Sequence, residues 1–204
     1  MLTVSQQITL YGDFNCPFCF VLNEWLCQLE LEGRVIWQPI EHEPKLDHKV
    51  SHTKFELEKL SSEFKEVWRR DTGVEIKLPE SRPNSKLSLC LLEWSRKVFP
   101  EHFNALKNAI YRALWQKGLD ISSQAVLETI VSKIDGLEVS SYKTILKEYR
   151  GVELGTKEWL GTEKDRIPLG IGPQGNFYQG LGTKVDFQEF LFAGIRDLED
   201  PGSC

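Results

Sequence analysis

Two cysteines separated by two residues, in the run Asn15-Cys16-Pro17-Phe18-Cys19-Phe20, are the side chains of this sequence best suited to chemistry. A Cys-x-x-Cys pair supports either a reversible disulfide or one half of a tetrahedral zinc site. Zinc normally takes a second pair of Cys or His ligands at matching spacing, and the chain offers none. Cys27 follows inside the same helical run, about 12 Å along its axis, and Cys90 stands alone. Redox chemistry without a metal is the expectation.

The flanking residues say how such a pair would be positioned. Before it runs an extended segment, Gln7-Ile8-Thr9-Leu10-Tyr11; after it come Val21, Leu22, Trp25, Leu26 and Leu29 at helical spacing. The cysteines therefore sit where a strand hands over to a helix. With Cys16 as the N-cap, Pro17 takes the first helical position, where its fixed φ suits the turn and its missing N–H is no loss. The Cys16 sulfur can then accept from the free amides of Phe18 and Cys19 and face the positive end of the helix dipole, both of which favour a thiolate. Cys19, one turn in, lies over the same face at about 5–6 Å, within the range of a disulfide. Facing the sheet, it should be held protonated by desolvation. Cys16 is the expected nucleophile and Cys19 the resolving thiol.

The 204 residues are enough for one domain with a large insertion or for two small ones. A hydrophobic content of 41% with six Trp supports a packed core. The net charge of −5, with acids and bases interspersed, argues against nucleic acid or an anionic membrane as partner. No apolar run approaches the roughly 18 residues of a membrane span. The start, Met1-Leu2-Thr3-Val4-Ser5-Gln6, has neither a basic nor an apolar leader segment, so the cytoplasm is the expected location. In that reducing compartment five cysteines should not build a disulfide framework, and a lone Cys-x-x-Cys reads as catalytic.

Farther along, Arg34-Val35-Ile36-Trp37-Gln38-Pro39-Ile40 is β-branched and aromatic and reads as a second strand. Strand, helix, strand makes a βαβ unit with a right-handed crossover. Residues 41–52 are a polar connection. Leu57, Leu60, Phe64, Val67 and Trp68 then recur at helical spacing. Arg82-Pro83-Asn84-Ser85 starts a helix carrying Leu87, Leu91, Leu92 and Trp94, and Phe99-Pro100 stops it. The next helix bears Phe103, Leu106, Ile110 and Leu114 and ends at Lys117-Gly118. Ser122 or Ser123 caps another, and a last short helix is expected near 141–150. Strands return with Arg166-Ile167-Pro168-Leu169-Gly170-Ile171 and its hairpin partner Asn176-Phe177-Tyr178-Gln179. An amphipathic helix over 185–198 closes the chain. The class is α/β with an all-helical insertion.

This order, with the stretches Gly12-Asp13-Phe14-Asn15-Cys16-Pro17-Phe18-Cys19, Arg82-Pro83-Asn84-Ser85, the run from Ala113 through Ile121, and Arg166-Ile167-Pro168-Leu169, resembles the DsbA-like thioredoxin-fold family, and within it the cytoplasmic FrnE-like branch. The resemblance implies a four-stranded thioredoxin sheet built from residues 1–50 and 160–204, with residues 51–159 as a helical insertion lying like a lid over the site. It implies that Pro168 is cis and sits opposite the cysteines, and that Pro17, Phe18, Ile167 and Pro168 bind the substrate. The chain departs from the family in its glycine-rich run after Pro168 and in Phe18, where no histidine stands beside Cys16.

The expected function is thiol–disulfide exchange through Cys16 and Cys19, with no cofactor. Partners would be protein or small-molecule thiols and disulfides, glutathione among them, acting on a monomer or homodimer. The alternative is a glutathione-dependent isomerase or transferase of the hydroxychromene carboxylate isomerase or kappa type; relatives of that kind resemble this fold with serine at the position of Cys16. A third reading is a non-catalytic binding protein using the groove under the lid. Weaker features are Gly170-Ile171-Gly172-Pro173-Gln174-Gly175, a G-x-G-x-x-G match that leads into no helix, and His48 and His52, four apart with Asp47 adjoining, a spacing open to a surface metal ion but more often found in solvated or helix-capping residues. Cys27 and Cys90 are expected in the core, and Cys204 on a tail.

Overall fold

A computed structural model of the chain describes residues 7–46, 54–70 and 72–199. Asp47, His48, His52 and Cys204 lie outside the described residues. Strand β1 (Ile8–Gly12) leads into helix α1 (Pro17–Gln28), and β2 (Val35–Pro39) returns beside β1. Helices α2 (Lys54–Arg69), α3 (Lys86–Val98), α4 (Phe103–Trp115), α5 (Gln124–Val131), α6 (Tyr142–Ile145) and α7 (Tyr149–Gly161) follow. The chain then adds β3 (Leu169–Ile171), β4 (Phe177–Gln179) and α8 (Lys184–Glu199).

The four strands form one sheet in the order β2-β1-β3-β4. β1 and β2 are parallel, with Ile8 opposite Val35 and Gly12 opposite Pro39. β3 runs antiparallel to β1, pairing Leu10 with Gly170, and β4 runs antiparallel to β3, pairing Gly170 with Tyr178. The expected hairpin is present: Gly175 N–H closes its turn on the Gly172 carbonyl at 3.0 Å, with Gly175 at φ +82°. The G-x-G-x-x-G match is therefore a hairpin turn rather than a phosphate loop.

α1 is buried almost all round, as a helix clad on both sides must be. Phe20, Val21, Leu22, Trp25 and Leu26 are at most 1% exposed. Polar Asn23 and Glu24 are buried as well, because α4 covers that face. Asn23 donates to Asn108 at 2.9 Å, and Glu24 takes both Nε and Nη2 of Arg112, at 3.0 and 3.1 Å. Lys107, 0% exposed, reaches Glu32 at 3.3 Å from the same seam. A polar strip thus joins the helical insertion to α1, and each charge in it has a partner, as burial demands.

Three expectations change. Helix α7 was not foreseen: the last helix of the insertion was expected to end near 150, and residues 149–161 form a further one. Within it, Gly155 is a contact point. A Cβ there would lie 2.3 Å from Gln38 Nε2 and 2.9 Å from the Pro39 carbonyl oxygen, so only glycine lets α7 approach β2 this closely. β3 begins at Leu169 rather than Arg166, since Pro168 has no N–H to enter a ladder. Trp68 is 73% exposed, its ring stacked on the neighbouring Phe64 instead of entering the core.

Candidate active site

Cys16 occupies the N-cap of α1 in extended backbone (φ −101°, ψ 117°), with Pro17 at the first helical position. Its N–H closes a turn on the Asp13 carbonyl at 3.3 Å, and its carbonyl accepts the Phe20 N–H at 3.2 Å. The side chain departs from the expected arrangement. No cap bond joins the sulfur to the helix amides. Instead the Cys16 thiol points across the sheet to the Ile167 carbonyl oxygen, Sγ to O 3.9 Å. As a neutral thiol it is a weak donor, and a bare carbonyl is the better partner for it.

Cys19 is 0% exposed, against 8% for Cys16, and both are free thiols. Burial pushes the Cys19 thiol well above its ordinary value, and its bond to the Cys16 sulfur adds to the shift. The inner cysteine is held protonated while the outer one borders solvent-accessible space. The Ile167–Pro168 peptide bond is cis. Pro168 accepts the Gly180 N–H through its carbonyl at 2.8 Å, which ties the Ile167 segment to the end of β4.

Cys16, Phe18 and Ile167 line a cavity of about 460 Å³. Glu63 and Glu66 of α2, with Arg70 just past its end, line the same cavity as Cys16. Of the residues expected at the site, Cys16, Phe18 and Ile167 therefore share one cavity; Pro17, Cys19 and Pro168 are buried behind them. Among the described residues, no three Cys, His, Asp or Glu side chains converge as a metal ion would require.

The residues that hold this arrangement were not singled out from the sequence. Asp13, 1% exposed, accepts the His42 N–H at 2.8 Å and the Asn15 N–H at 3.4 Å, and bonds the Ser85 hydroxyl. Its burial outweighs these bonds and raises its pKa from 3.8 to about 6. The Asp13 carbonyl takes the Tyr111 hydroxyl at 3.1 Å, and the Phe14 carbonyl takes the Trp115 indole N–H at 2.8 Å. Asn15 reaches Ser85 at 3.4 Å. The loop before Cys16 is thus hung from α3, α4 and the end of β2. Gly12 belongs to the same design: a Cβ there would meet the Trp37 ring at 2.5 Å. The signal available in the sequence was the set of short stretches around Asp13, Ser85 and Trp115, whose purpose becomes visible once they meet. His42 also lines the cavity; burial lowers its pKa, and its ring packs edge-on to Trp159 at 5.5 Å. Cys90 is fully buried, as expected, whereas Cys27 is only half-buried at the edge of the α1–α4 seam.

Several solved structures share this fold. A probable DsbA oxidoreductase from Streptomyces coelicolor superposes with a TM-score of 0.72 at 14% identity, covering 94% of this chain and 90% of that one. A 2-hydroxychromene-2-carboxylate isomerase gives 0.71 at 16% identity, covering 97% and 99%. The cytosolic disulfide reductase DsbM from Pseudomonas aeruginosa, solved with glutathione, gives 0.67 at 14% identity, covering 93% and 99%. At such identities the likeness concerns the fold. No curated protein sequence matches the chain. No helix among the described residues is long and apolar enough to cross a membrane. Over residues 7–158, well over half its length, the chain matches the model of the DSBA-like thioredoxin domain, and it belongs to that family.

Proposed function

We propose that the protein is a thiol–disulfide oxidoreductase of the reducing cytoplasm, with Cys16 as nucleophile and Cys19 as resolving thiol. The observation that carries this reading is the asymmetry of the pair. Cys16 lines the cavity beside Ile167, while Cys19 lies fully buried behind it with its proton held by desolvation. In the reductive direction the Cys16 thiolate attacks one sulfur of a substrate disulfide, forming a mixed disulfide and releasing the other sulfur as a thiolate. Cys19 loses its proton and attacks the Cys16 sulfur; the Cys16–Cys19 disulfide forms and the second substrate thiol leaves. The oxidative direction is the reverse.

Pro17, Phe18, Ile167 and Pro168 form the substrate-binding surface in this reading. Phe18 and Ile167 border the cavity, and the Ile167 carbonyl that now accepts the Cys16 thiol would be released to an extended substrate once Cys16 is ionised or bonded. The catalytic frame is the two-part unit of residues 1–50 and 160–204, with residues 51–159 supplying the overlying wall.

The test is a trapping experiment. Cys19→Ser, incubated with a disulfide-containing protein, should accumulate a covalent complex that dithiothreitol releases; Cys16→Ser should form none. A complex from Cys16→Ser alone would reverse the roles. No complex from either variant, with glutathione-dependent isomerisation or conjugation present, would favour the isomerase or transferase reading.

A further inference from the structure

His42 comes to the Cys16 cavity from the strand beside the one that carries the nucleophile. β1 and β2 are parallel neighbours, with Gly12 opposite Pro39, and the Ile40 N–H closes on the Gly12 carbonyl at 3.0 Å. Cys16 lies just past the end of β1 and His42 just past the end of β2. The carboxyl ends of neighbouring parallel strands are where α/β folds hold their ligands. One carboxylate fixes the two loops to each other: Asp13 accepts the Asn15 N–H through Oδ1 at 3.4 Å and the His42 N–H through Oδ2 at 2.8 Å. The His42 side chain is 28% exposed and lines the cavity together with Cys16.

The ring is held by packing. It lies edge-on to Trp159 of α7, ring centres 5.5 Å apart. Nδ1 stands 4.0 Å from Glu43 Oε1, beyond hydrogen-bond reach. Among the described residues, neither ring nitrogen has a hydrogen-bond partner. Burial lowers the His42 pKa from 6.5; Glu43 opposes this, while Lys59 and Arg82 add to it. At neutral pH the imidazole is therefore an uncharged base.

The exchange chemistry needs such a base. The Cys16 thiol donates to the Ile167 carbonyl oxygen, which can hold the proton but not remove it. The other titratable groups of the cavity do not serve. Glu43 takes Lys59 at 2.5 Å, Glu66 takes Arg69 and Arg70 at 2.7 Å each, and Glu63 takes Arg82. Carboxylates paired in this way bind protons poorly. Asp165 stands in solvent, 86% exposed, and the arginines keep their charge. Among the described lining residues, His42 is the side chain besides Cys16 suited to gain and lose a proton near neutrality.

We propose that His42 is a catalytic acid–base of the exchange: its imidazole takes the Cys16 thiol proton, directly or through one water, and delivers it to the sulfur that leaves the substrate. This rests on the exchange chemistry proposed above and adds the group that moves its proton. The motif itself has no imidazole, since Phe18 stands between the cysteines; the neighbouring strand end supplies one. The step balances within the site. The Cys16 thiol gives its proton to a ring nitrogen of His42, leaving a thiolate beside an imidazolium. The thiolate sulfur bonds one substrate sulfur as the substrate S–S bond breaks, and the departing sulfur carries off the electron pair. That sulfur takes the proton from His42 and leaves as a thiol, and the ring is neutral again.

The test uses the reduced protein and two neutral disulfides of similar size, 2-hydroxyethyl disulfide and bis(2,2,2-trifluoroethyl) disulfide. The first releases a basic thiolate that needs a proton; the second releases an acidic thiol that leaves readily without one. Formation of the Cys16–Cys19 disulfide is followed by acid quenching and mass spectrometry. His42→Gln should slow the first disulfide by about a hundredfold, the low end of what a positioned acid–base group supplies, and the second by about tenfold less. His42→Leu, which fills the place of the ring against Trp159, should behave in the same way. In the wild type the rate with 2-hydroxyethyl disulfide should be level from about pH 6.5 to pH 8, because the proton leaves and returns inside the site. In His42→Gln it should climb through that range, as solvent takes the proton instead.

A wild-type rate that climbs with pH as steeply as that of free dithiothreitol overturns the proposal while leaving the oxidoreductase reading intact, whether or not the variants fold. A folded His42→Gln that slows both disulfides alike, as a merely structural role would, also overturns it, and so does one that slows neither. If neither disulfide oxidises the two cysteines, the exchange reading fails and this inference with it.

Discussion

Replacing Asp13 by Asn should change how stability depends on pH, in the direction opposite to that of most carboxylates. Asp13 is 1% exposed, and burial outweighs the bonds from Ser85, His42 and Asn15, raising its pKa from 3.8 to about 6. In the unfolded chain the group ionises near 3.8; in the folded chain it keeps its proton until about pH 6. Below 3.8 both states are protonated and the group adds no difference between them. As the pH rises through the window from 3.8 to about 6, the unfolded state ionises first and gains stability relative to the folded one. Stability therefore falls across that window and levels off above it. At about 1.4 kcal/mol per pH unit, the displacement costs about 3 kcal/mol at pH 7, of which about 2 kcal/mol develops between pH 4 and pH 7.

Asparagine keeps the shape without the titration. It also turns an acceptor oxygen into a donor facing a backbone N–H, a pH-independent loss of about 1–3 kcal/mol, so absolute stability is not the readout. The readout is a double difference: urea unfolding of both proteins at pH 4 and pH 7, followed by tryptophan fluorescence and circular dichroism. The wild type should lose about 2 kcal/mol more than Asp13→Asn on going from pH 4 to pH 7. Parallel changes in the two proteins, or a larger loss in the variant, would refute the burial of Asp13 as the cause.

Gly155→Ala should cost about 1–3 kcal/mol, because its Cβ meets a backbone oxygen of β2 that cannot swing aside; Gly161→Ala, whose Cβ meets nothing within 4 Å, should be neutral or stabilise by up to about 1 kcal/mol. Thermal unfolding of the two variants checks the contrast, and equal effects would sink the close-approach argument. The thiols of Cys27 and Cys90 are pushed up to about 12, mainly by burial. At pH 8 only about one molecule in ten thousand would carry either thiolate, the form that reacts with iodoacetamide. Cys16 should thus be carboxamidomethylated first in the reduced, folded protein. Peptide mapping that found Cys90 modified as fast as Cys16 would contradict its place in the core.

What the sequence determined on its own is what depends on neighbours along the chain. The strand before Cys16, Pro17 at the first turn of α1, the alternation of helical runs and breakers, and the glycine turn between β3 and β4 all follow from local periodicity and backbone chemistry. That was enough to place the cysteines at a strand–helix junction and to expect the outer one to be the more accessible. The tertiary structure alone decided what meets them. Cys16 finds its hydrogen-bond partner in Ile167, 151 residues away, where local reasoning had offered it the amides of its own helix. Asp13 becomes a buried acid because the end of β2 and the start of α3 close over it, and neither is near it in sequence. Gly155 of α7 carries no local signal of its role, because the demand it meets comes from Gln38 and Pro39 on a strand more than a hundred residues earlier. Burial, close approach and the filling or leaving open of a hydrogen bond are properties of surfaces brought together by folding, and no single stretch of the chain contains both sides of such a contact.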